Sequence, residues 1–289
     1  MAETGKKSGF AVMVGRSNVG KSTVLNSLVG SKVAITSPKP QTTRLPVQGI
    51  VTRPEGQVVF VDTPGIIQKS RDTLTGKMAA AAKDSLRDVD VVLHVVDPTR
   101  SIGDEEKAVM RLMQEVTKPK ILVINKTDLP PRELEFIDSY RDLVPNYDLA
   151  LEVSGLTGRG LPELLAAIFE RLPEGEFYYP EGQLTNMPSE TWVAELIREK
   201  LFLRLREEVP YSTHVEVEEM DRRPDGTMYI KATVFTTDER YKRMIIGTRG
   251  HGIKEIGQST RHELETVMQT KVFLDLTVET DPHWVERIE

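Results

Sequence analysis

The sequence contains no cysteine. Disulfides and thiolate metal sites are thereby excluded, and the chain suits a reducing cytosolic compartment. Any metal must be held through oxygen or imidazole. No apolar run is long enough to span a bilayer. The opening MAETGKKSGFAVMVG stays polar for nine residues before it turns apolar, which is not the pattern of a secretory signal peptide. Internal repeats and low-complexity tracts are also missing. Positive charge is in deficit: 38 Lys and Arg against 44 Asp and Glu give a net charge of −6. Nucleic acid is therefore not attracted to the chain as a whole, and any such contact needs a local basic patch.

What is present is a length of 289 residues, 39% of them hydrophobic and 28% charged, enough for two globular domains, each with its own core. From Phe10 to about Leu172, short apolar runs alternate with longer helical stretches, the pattern of a mostly parallel sheet with crossover helices on both faces. Strands are expected over 10–14, 47–53, 57–62, 90–96, 120–125 and 149–153, and helices over 21–28, 74–86, 104–115 and 161–172. Residues 174–188, rich in proline and glycine, read as a linker between a nucleotide-binding domain over 1–173 and a second domain over 189–289. There the expected order is a helix to about 208, strands over 213–219 and 227–236 around the turn at Pro224-Asp225-Gly226, helices over 239–246 and 252–268, and a strand over 271–278. Asn186, Ser189 and Thr191 are the candidate caps for its first helix.

Gly15-Arg-Ser-Asn18-Val19-Gly20-Lys21-Ser22-Thr23 lies between a predicted strand and a predicted helix, the context that turns a phosphate-loop string into a site. Its glycines let backbone N–H groups converge on phosphate oxygens, Lys21 reaches the outer phosphates, and Ser22 offers a hydroxyl to Mg²⁺. Asn125-Lys126-Thr127-Asp128 follows an apolar strand, where α/β folds bind ligands. Asp128 can accept bonds from guanine N1–H and N2–H₂, whereas adenine would leave its charge unpaired, so GTP or GDP is expected over ATP. Ser154-Gly155-Leu156, at another strand end, is a candidate for a backbone N–H to the guanine oxygen.

Asp62-Thr-Pro-Gly65 ends a strand, with Asp62 placed for Mg²⁺ through a water and Gly65 for the γ-phosphate. The following residues, 66–76, are a candidate switch. In the loop 36–45, TSPKPQTTRL, Thr42 and Thr43 both qualify as a further magnesium ligand. Lys21, Thr42, Thr43 and Gly65 are thus the candidate catalytic residues. Ile66 stands where Ras-like GTPases carry a water-orienting glutamine, so intrinsic turnover is expected to be slow, on the order of 10⁻⁴ to 10⁻² per second. Asn18 is a candidate ligand for K⁺.

Ile245-Ile246-Gly247-Thr248-Arg249-Gly250 joins two predicted helices through a G-x-x-G turn, with Arg240, Lys242, Arg243, Lys254 and Arg261 around it. Ile246, Gly247, Thr248, Arg249, Gly250, Lys254 and Arg243 are the candidate RNA contacts, because glycines admit a nucleotide backbone and the basic side chains supply charge. The α-β-β-α-α-β order around the turn matches a type II KH domain.

The motifs at 15–22, 62–65, 125–128 and 247–250, together with Gln41-Thr-Thr-Arg44, resemble in kind and order those of the Era family, bacterial GTPases with a C-terminal KH domain. The resemblance covers nearly the whole chain. It implies an α/β P-loop GTPase domain followed by a smaller α+β type II KH domain. It implies binding to the 3′ end of small-subunit ribosomal RNA, help in assembling the small ribosomal subunit, and peripheral association of a cytoplasmic protein with the inner membrane. No DNA partner is expected. Gly155, where many GTPases have alanine, and Ser17, often proline in this family, are departures that remove no contacting group. A tRNA-modifying GTPase would lack the G-x-x-G domain, an ATPase is opposed by Asp128, and a non-catalytic RNA-binding module would show no multiple turnover.

Overall fold

The computed structural model describes residues 5–39, 42–44, 46–64 and 89–287. Gln41, Gly65, Ile66 and the segments expected as a switch (66–76) and a helix (74–86) lie outside the described residues. The chain divides into two compact units, Met1–Asn186 and Met187–Glu289.

The first unit is built on six strands, β1 (Lys7–Val14), β2 (Val47–Arg53), β3 (Gly56–Asp62), β4 (Val91–Val96), β5 (Lys120–Ile124) and β6 (Leu149–Glu152), in the spatial order β2-β3-β1-β4-β5-β6. Only β2, at one edge, runs antiparallel to its neighbour. Every residue of β3 and β4 is buried, and both read as nearly continuous apolar runs because helices cover both faces of a parallel sheet. The described helices are α1 (Lys21–Val29), α2 (Asp104–Glu115), a short α3 (Ile137–Arg141) and α4 (Leu161–Arg171). The short α3 carried no clear periodicity in the sequence. At its five-residue length, one buried residue, Tyr140, docks it.

The stretch expected as a linker is strapped to this unit. The Gln57 amide, fully buried, donates to Tyr179 O and accepts from Tyr179 N, both at 2.9 Å. The Tyr179 hydroxyl reaches Gln48 Oε1 at 2.8 Å, Thr185 Oγ1 donates to Gln48 O at 2.7 Å, and Ile50 N donates to Leu184 O. Residues 174–186 therefore satisfy polar groups of β2 and β3, and the division between the two units falls after Asn186, within the stretch 174–188. Backbone pairing to an open edge strand explains why a segment without helical or strand periodicity is held in place.

The second unit runs α5 (Ser189–Arg204), β7 (Thr213–Arg222), β8 (Met228–Thr236), α6 (Glu239–Ile246), α7 (His251–Met268) and β9 (Val272–Thr280). β8 is central, antiparallel to β7 and parallel to β9. Alternate residues Ile230, Ala232 and Val234 of β8 meet Val193, Ile197 and Leu201 of α5 and Ile256 and Leu264 of α7 in one core. Among the helix starts, α6 is capped by Asp238, whose carboxylate accepts from Arg240 N at 2.6 Å. For α5 none of the three candidate side chains caps. Pro188, with its ring-fixed φ of −56°, occupies the N-cap.

Candidate nucleotide site and nucleic-acid interface

The phosphate loop leaves β1 at the carboxyl end of the sheet and enters α1 at Lys21. Its carbonyls are tied down one by one. Lys21 Nζ donates to Gly15 O at 3.1 Å and to Arg16 O at 3.2 Å. Arg100 holds Ser17 O at 2.8 Å, Lys126 holds Asn18 O at 3.1 Å, and Asn125 Nδ2 holds Val19 O at 2.9 Å. With the carbonyls from 15 to 19 engaged by side chains, the intervening N–H groups are left to form an anion-binding concavity at the start of a helix.

Two clefts meet here, of about 430 Å³ over the phosphate loop and about 520 Å³ beside Asp128. Gly20 and Thr23 border both, so they form one site with a phosphate end and a base end. At the base end Ser154 Oγ donates to Asp128 Oδ1 at 2.6 Å, and Gly155 N donates to Asn125 Oδ1 at 2.9 Å. Asn125 thus links the phosphate loop to the 154–156 loop. Leu156, 77% exposed, borders this cleft. Gly155 has a steric reason to differ from alanine: a Cβ there would lie 2.9 Å from both Val24 N and Val24 Cγ2 of α1.

At the phosphate end the structure separates two threonines that the sequence left equivalent. Thr43 Oγ1 lies 3.2 Å from Ser22 Oγ, which donates to Asp62 Oδ2 at 2.5 Å. Thr42, which borders the same cleft, is bonded instead to Ser37 Oγ at 2.6 Å and to Lys39 O at 2.9 Å. The geometry brings Ser22, Thr43 and Asp62 together and does not bring Thr42. Asp62 is fully buried, and its Oδ1 has no hydrogen-bond partner among the described residues. Burial pushes its carboxyl up from the usual range and pushes the Lys21 ammonium down, each opposed by the charge of the other. An oxygen cluster of this kind, with an orphaned carboxylate oxygen, fits a hard divalent cation.

Asn18 has φ of +63° and donates through Nδ2 to Pro38 O at 2.7 Å, so it meets the backbone of the loop that carries Thr43. Asp97, at the end of β4, accepts from Lys126 Nζ at 2.6 Å and from Thr99. Burial alone would raise this carboxyl, but the bonds from Lys126 and Thr99 outweigh burial and hold it below its usual value. Sequence reading had passed over Asp97. An aspartate ending a strand that is apolar but for His94, in the sheet that carries the other motifs, was the available signal.

In the second unit Gly247 and Gly250 both lie at positive φ, +71° and +75°, and Arg249 between them at +53°. A Cβ on Gly247 would sit 2.9 Å from Gly252 N, whereas one on Gly250 would meet nothing within 4 Å. Gly247 is thus required by packing, and Gly250 leaves open space over the turn. Thr248, Arg249, Arg243 and Lys254 are exposed, while Ile246 packs partly into the core. Gly252, not singled out by sequence reading, is buried where a Cβ would strike Ile245 O at 2.5 Å.

Two family models match this chain: one described as a 50S ribosome-binding GTPase over residues 10–126, the other a KH domain over 208–285. Among curated proteins, the GTPase Era of Halothermothrix orenii is 45% identical over 97% of this chain and 95% of its own length. The GTPase Era of Lactobacillus delbrueckii subsp. bulgaricus is also 45% identical, over 98% and 94%. Among solved structures, Era in complex with MgGDPNP and nucleotides 1506–1542 of 16S ribosomal RNA superposes with a TM-score of 0.90 at 38% identity, over 98% of this chain and 96% of that one. A variant of Aquifex aeolicus Era bound to GDP.AlF4⁻ gives the same values.

Proposed function

This chain belongs to the Era family of GTPases, enzymes that hydrolyse GTP, and from that premise we propose that it is a nucleotide-gated RNA-binding switch. Its RNA is the 3′ end of small-subunit ribosomal RNA, and it acts in assembly of the small ribosomal subunit. The observation that carries this reading is the presence in one chain of a base pocket in which Ser154 holds Asp128 and of a G-x-x-G turn with open space at Gly250 and an exposed Arg249. A solved relative holds both a GTP analogue and such an RNA segment.

At the base end, Asp128 accepts from the guanine N1–H and N2–H₂. Because Gly155 N–H is committed to Asn125, we assign the guanine oxygen to the Leu156 N–H. Along the loop from Gly15 to Gly20, backbone N–H groups bind the α- and β-phosphates, and Lys21 turns from the carbonyls of Gly15 and Arg16 to the outer phosphates. Ser22, Thr43 and, through a water, Asp62 would hold Mg²⁺, which when bound neutralises charge developing on the β- and γ-phosphate oxygens. We place Gly65, by its sequence position, at the γ-phosphate. With Ile66 unable to orient a water, turnover is slow until a partner or ion assists. K⁺ is the ion we propose, held with the help of the side-chain oxygen of Asn18, whose amide nitrogen already contacts Pro38 O. Equal GTPase rates in KCl and NaCl would remove that element alone.

The C-terminal unit clamps RNA phosphates at Gly247 to Gly250 with Arg249, Arg243 and Lys254. We further propose cytoplasmic residence with peripheral contact at the inner membrane, on the family resemblance. No helix among the described residues is long and apolar enough to cross a membrane. The deciding experiment is binding of labelled RNA from the small-subunit 3′ end with GDP or a non-hydrolysable GTP analogue. Tighter binding with the analogue is expected. Equal binding would mean that nucleotide does not gate the RNA domain.

A further inference from the structure

The second residue of the phosphate loop points away from the nucleotide cleft. Arg16 is 5% exposed. Its guanidinium donates to Ser101 O at 2.9 Å, to Arg100 O at 3.2 Å, to Asp97 O at 3.3 Å and to the Tyr140 hydroxyl at 3.0 Å. Its Nε lies 3.1 Å from Glu106 Oε2. Glu106 is itself fully buried and shares the inner face of α2 with Val109 and Met113, a place that an amphipathic helix gives to an apolar residue. Its other oxygen, Oε1, is 2.7 Å from His94 Nε2, and His94 Nδ1 is 2.5 Å from the Tyr147 hydroxyl. Burial, then the charge of Glu106, pushes the Tyr147 phenol up, so the hydroxyl keeps its proton.

The contacts run both ways between the phosphate loop and the segment after β4. Arg16 donates to the carbonyl of Arg100, and Arg100 donates to the carbonyl of Ser17 at 2.8 Å. Each arginine therefore immobilises the backbone next to the other. We propose that Arg16, Glu106 and Arg100 form a clasp that holds the phosphate loop in its nucleotide-receiving shape, making Arg16 and Glu106 positioning residues for GTP and GDP alike. This inference rests on the nucleotide-site reading above and adds residues behind the site.

Two considerations favour positioning over a purely stabilising role. A buried ion pair is a poor source of net stability, and an apolar replacement of the same volume often does as well. Arg16 is part of the loop and is anchored on carbonyls of the segment after β4, while Arg100 returns a bond to the loop carbonyl of Ser17, so that a shift of an ångström at either end would redirect the N–H groups that meet phosphate. The clasp makes no contact with Ser22, Thr43 or Asp62 in the bonds described, so its loss should not single out the γ-phosphate.

The test uses the full-length chain with both charges removed together, R16M/E106Q, so that neither is left buried alone. Binding of fluorescent GDP and of a non-hydrolysable GTP analogue should weaken by about tenfold or more for both, with KM for GTP rising by a similar factor and kcat held within about threefold. R16K, which restores charge but not the planar fork, should recover part of the affinity. A folded double variant that binds both nucleotides within about twofold of the parent, or one that loses only the GTP analogue, overturns the proposal. If the double variant does not fold, R100M decides, because the Arg100 side chain is 43% exposed and its loss leaves Arg16 paired with Glu106 and Asp97 paired with Lys126. It should weaken GDP and GTP analogue equally, by about threefold to tenfold, and unchanged affinity for both would overturn the clasp.

Discussion

Thr43 Oγ1 stands 3.2 Å from Ser22 Oγ, on a loop separated from the phosphate loop by the whole of α1, and Ser22 in turn reaches Asp62 at 2.5 Å. Three hydroxyl or carboxylate groups from three segments converge on one point. Thr43→Ala should therefore weaken magnesium-dependent binding of a GTP analogue by about tenfold, about 1.4 kcal/mol, and affect GDP far less. Thr42→Ala should leave magnesium dependence within about twofold of the parent. Titration of nucleotide binding with Mg²⁺ checks both, and the reverse ranking would exchange the two assignments.

Specificity for guanine is predicted to rest on a held carboxylate. Asp128→Asn should shift preference toward xanthine nucleotide. Ser154→Ala, which removes the 2.6 Å bond to Asp128, should lower GDP affinity by roughly tenfold without that shift, since a hydrogen bond to a charged group contributes about 1.5–3 kcal/mol. Competition of GDP, ADP and XDP against a fluorescent guanine nucleotide measures this. Unchanged GTP affinity in Asp128→Asn would sink the assignment.

Gly155→Ala, a common residue in other GTPases, should be harmful in this chain. The added methyl would lie 2.9 Å from the backbone nitrogen of Val24, and helix backbone cannot give way as a flexible side chain can. A loss of about 1–3 kcal/mol is expected, as for overpacking generally. Urea denaturation of the nucleotide-free protein is the measurement, and an unchanged midpoint would refute the steric account.

Acid should loosen the Lys126 support. The folded Asp97 carboxyl titrates below its unfolded value of about 3.9. A depressed carboxyl stabilises the fold fully above the unfolded value, and that contribution is lost as pH falls through the folded value. Unfolding midpoints should therefore be insensitive to Asp97 between about pH 5 and 7 and fall in acid, and Asp97→Asn should flatten that fall. An acid limb identical in parent and variant would show that Asp97 contributes nothing to it.

For the RNA surface, Gly250→Asp should abolish RNA binding while GDP affinity stays within about twofold, because the site at Gly250 is open and the added carboxylate repels phosphate. Gly250→Ala separates strain from charge: a residue forced to φ of +75° costs about 1–2 kcal/mol of stability, but the methyl meets no atom within 4 Å. Filter binding and thermal unfolding of each variant distinguish the two effects. RNA affinity retained by Gly250→Asp would place the clamp elsewhere.

Much of this was legible along the chain because it is local. Every expected strand appears within about three residues of its place, since alternation and apolar runs report burial directly. The phosphate loop, the Asn125–Asp128 motif and the G-x-x-G turn could be read because each is a contiguous string whose backbone shape demands particular residues. The strap over 174–186 could not be read, because its order comes from Gln48, Gln57 and the edge of β2, more than a hundred positions away.

The sequence by itself determined the two-domain plan, the guanine-nucleotide chemistry and the family, because periodicity and spaced motifs are properties of short segments. Only the tertiary structure decided that Thr43 and not Thr42 meets Ser22, that a side chain at Gly155 would crowd Val24, and that Arg16 turns inward to Glu106, which His94 also meets. Those outcomes depend on which atoms of distant strands and helices come within bonding distance, and that distance is set by the packing of the sheet and its helices.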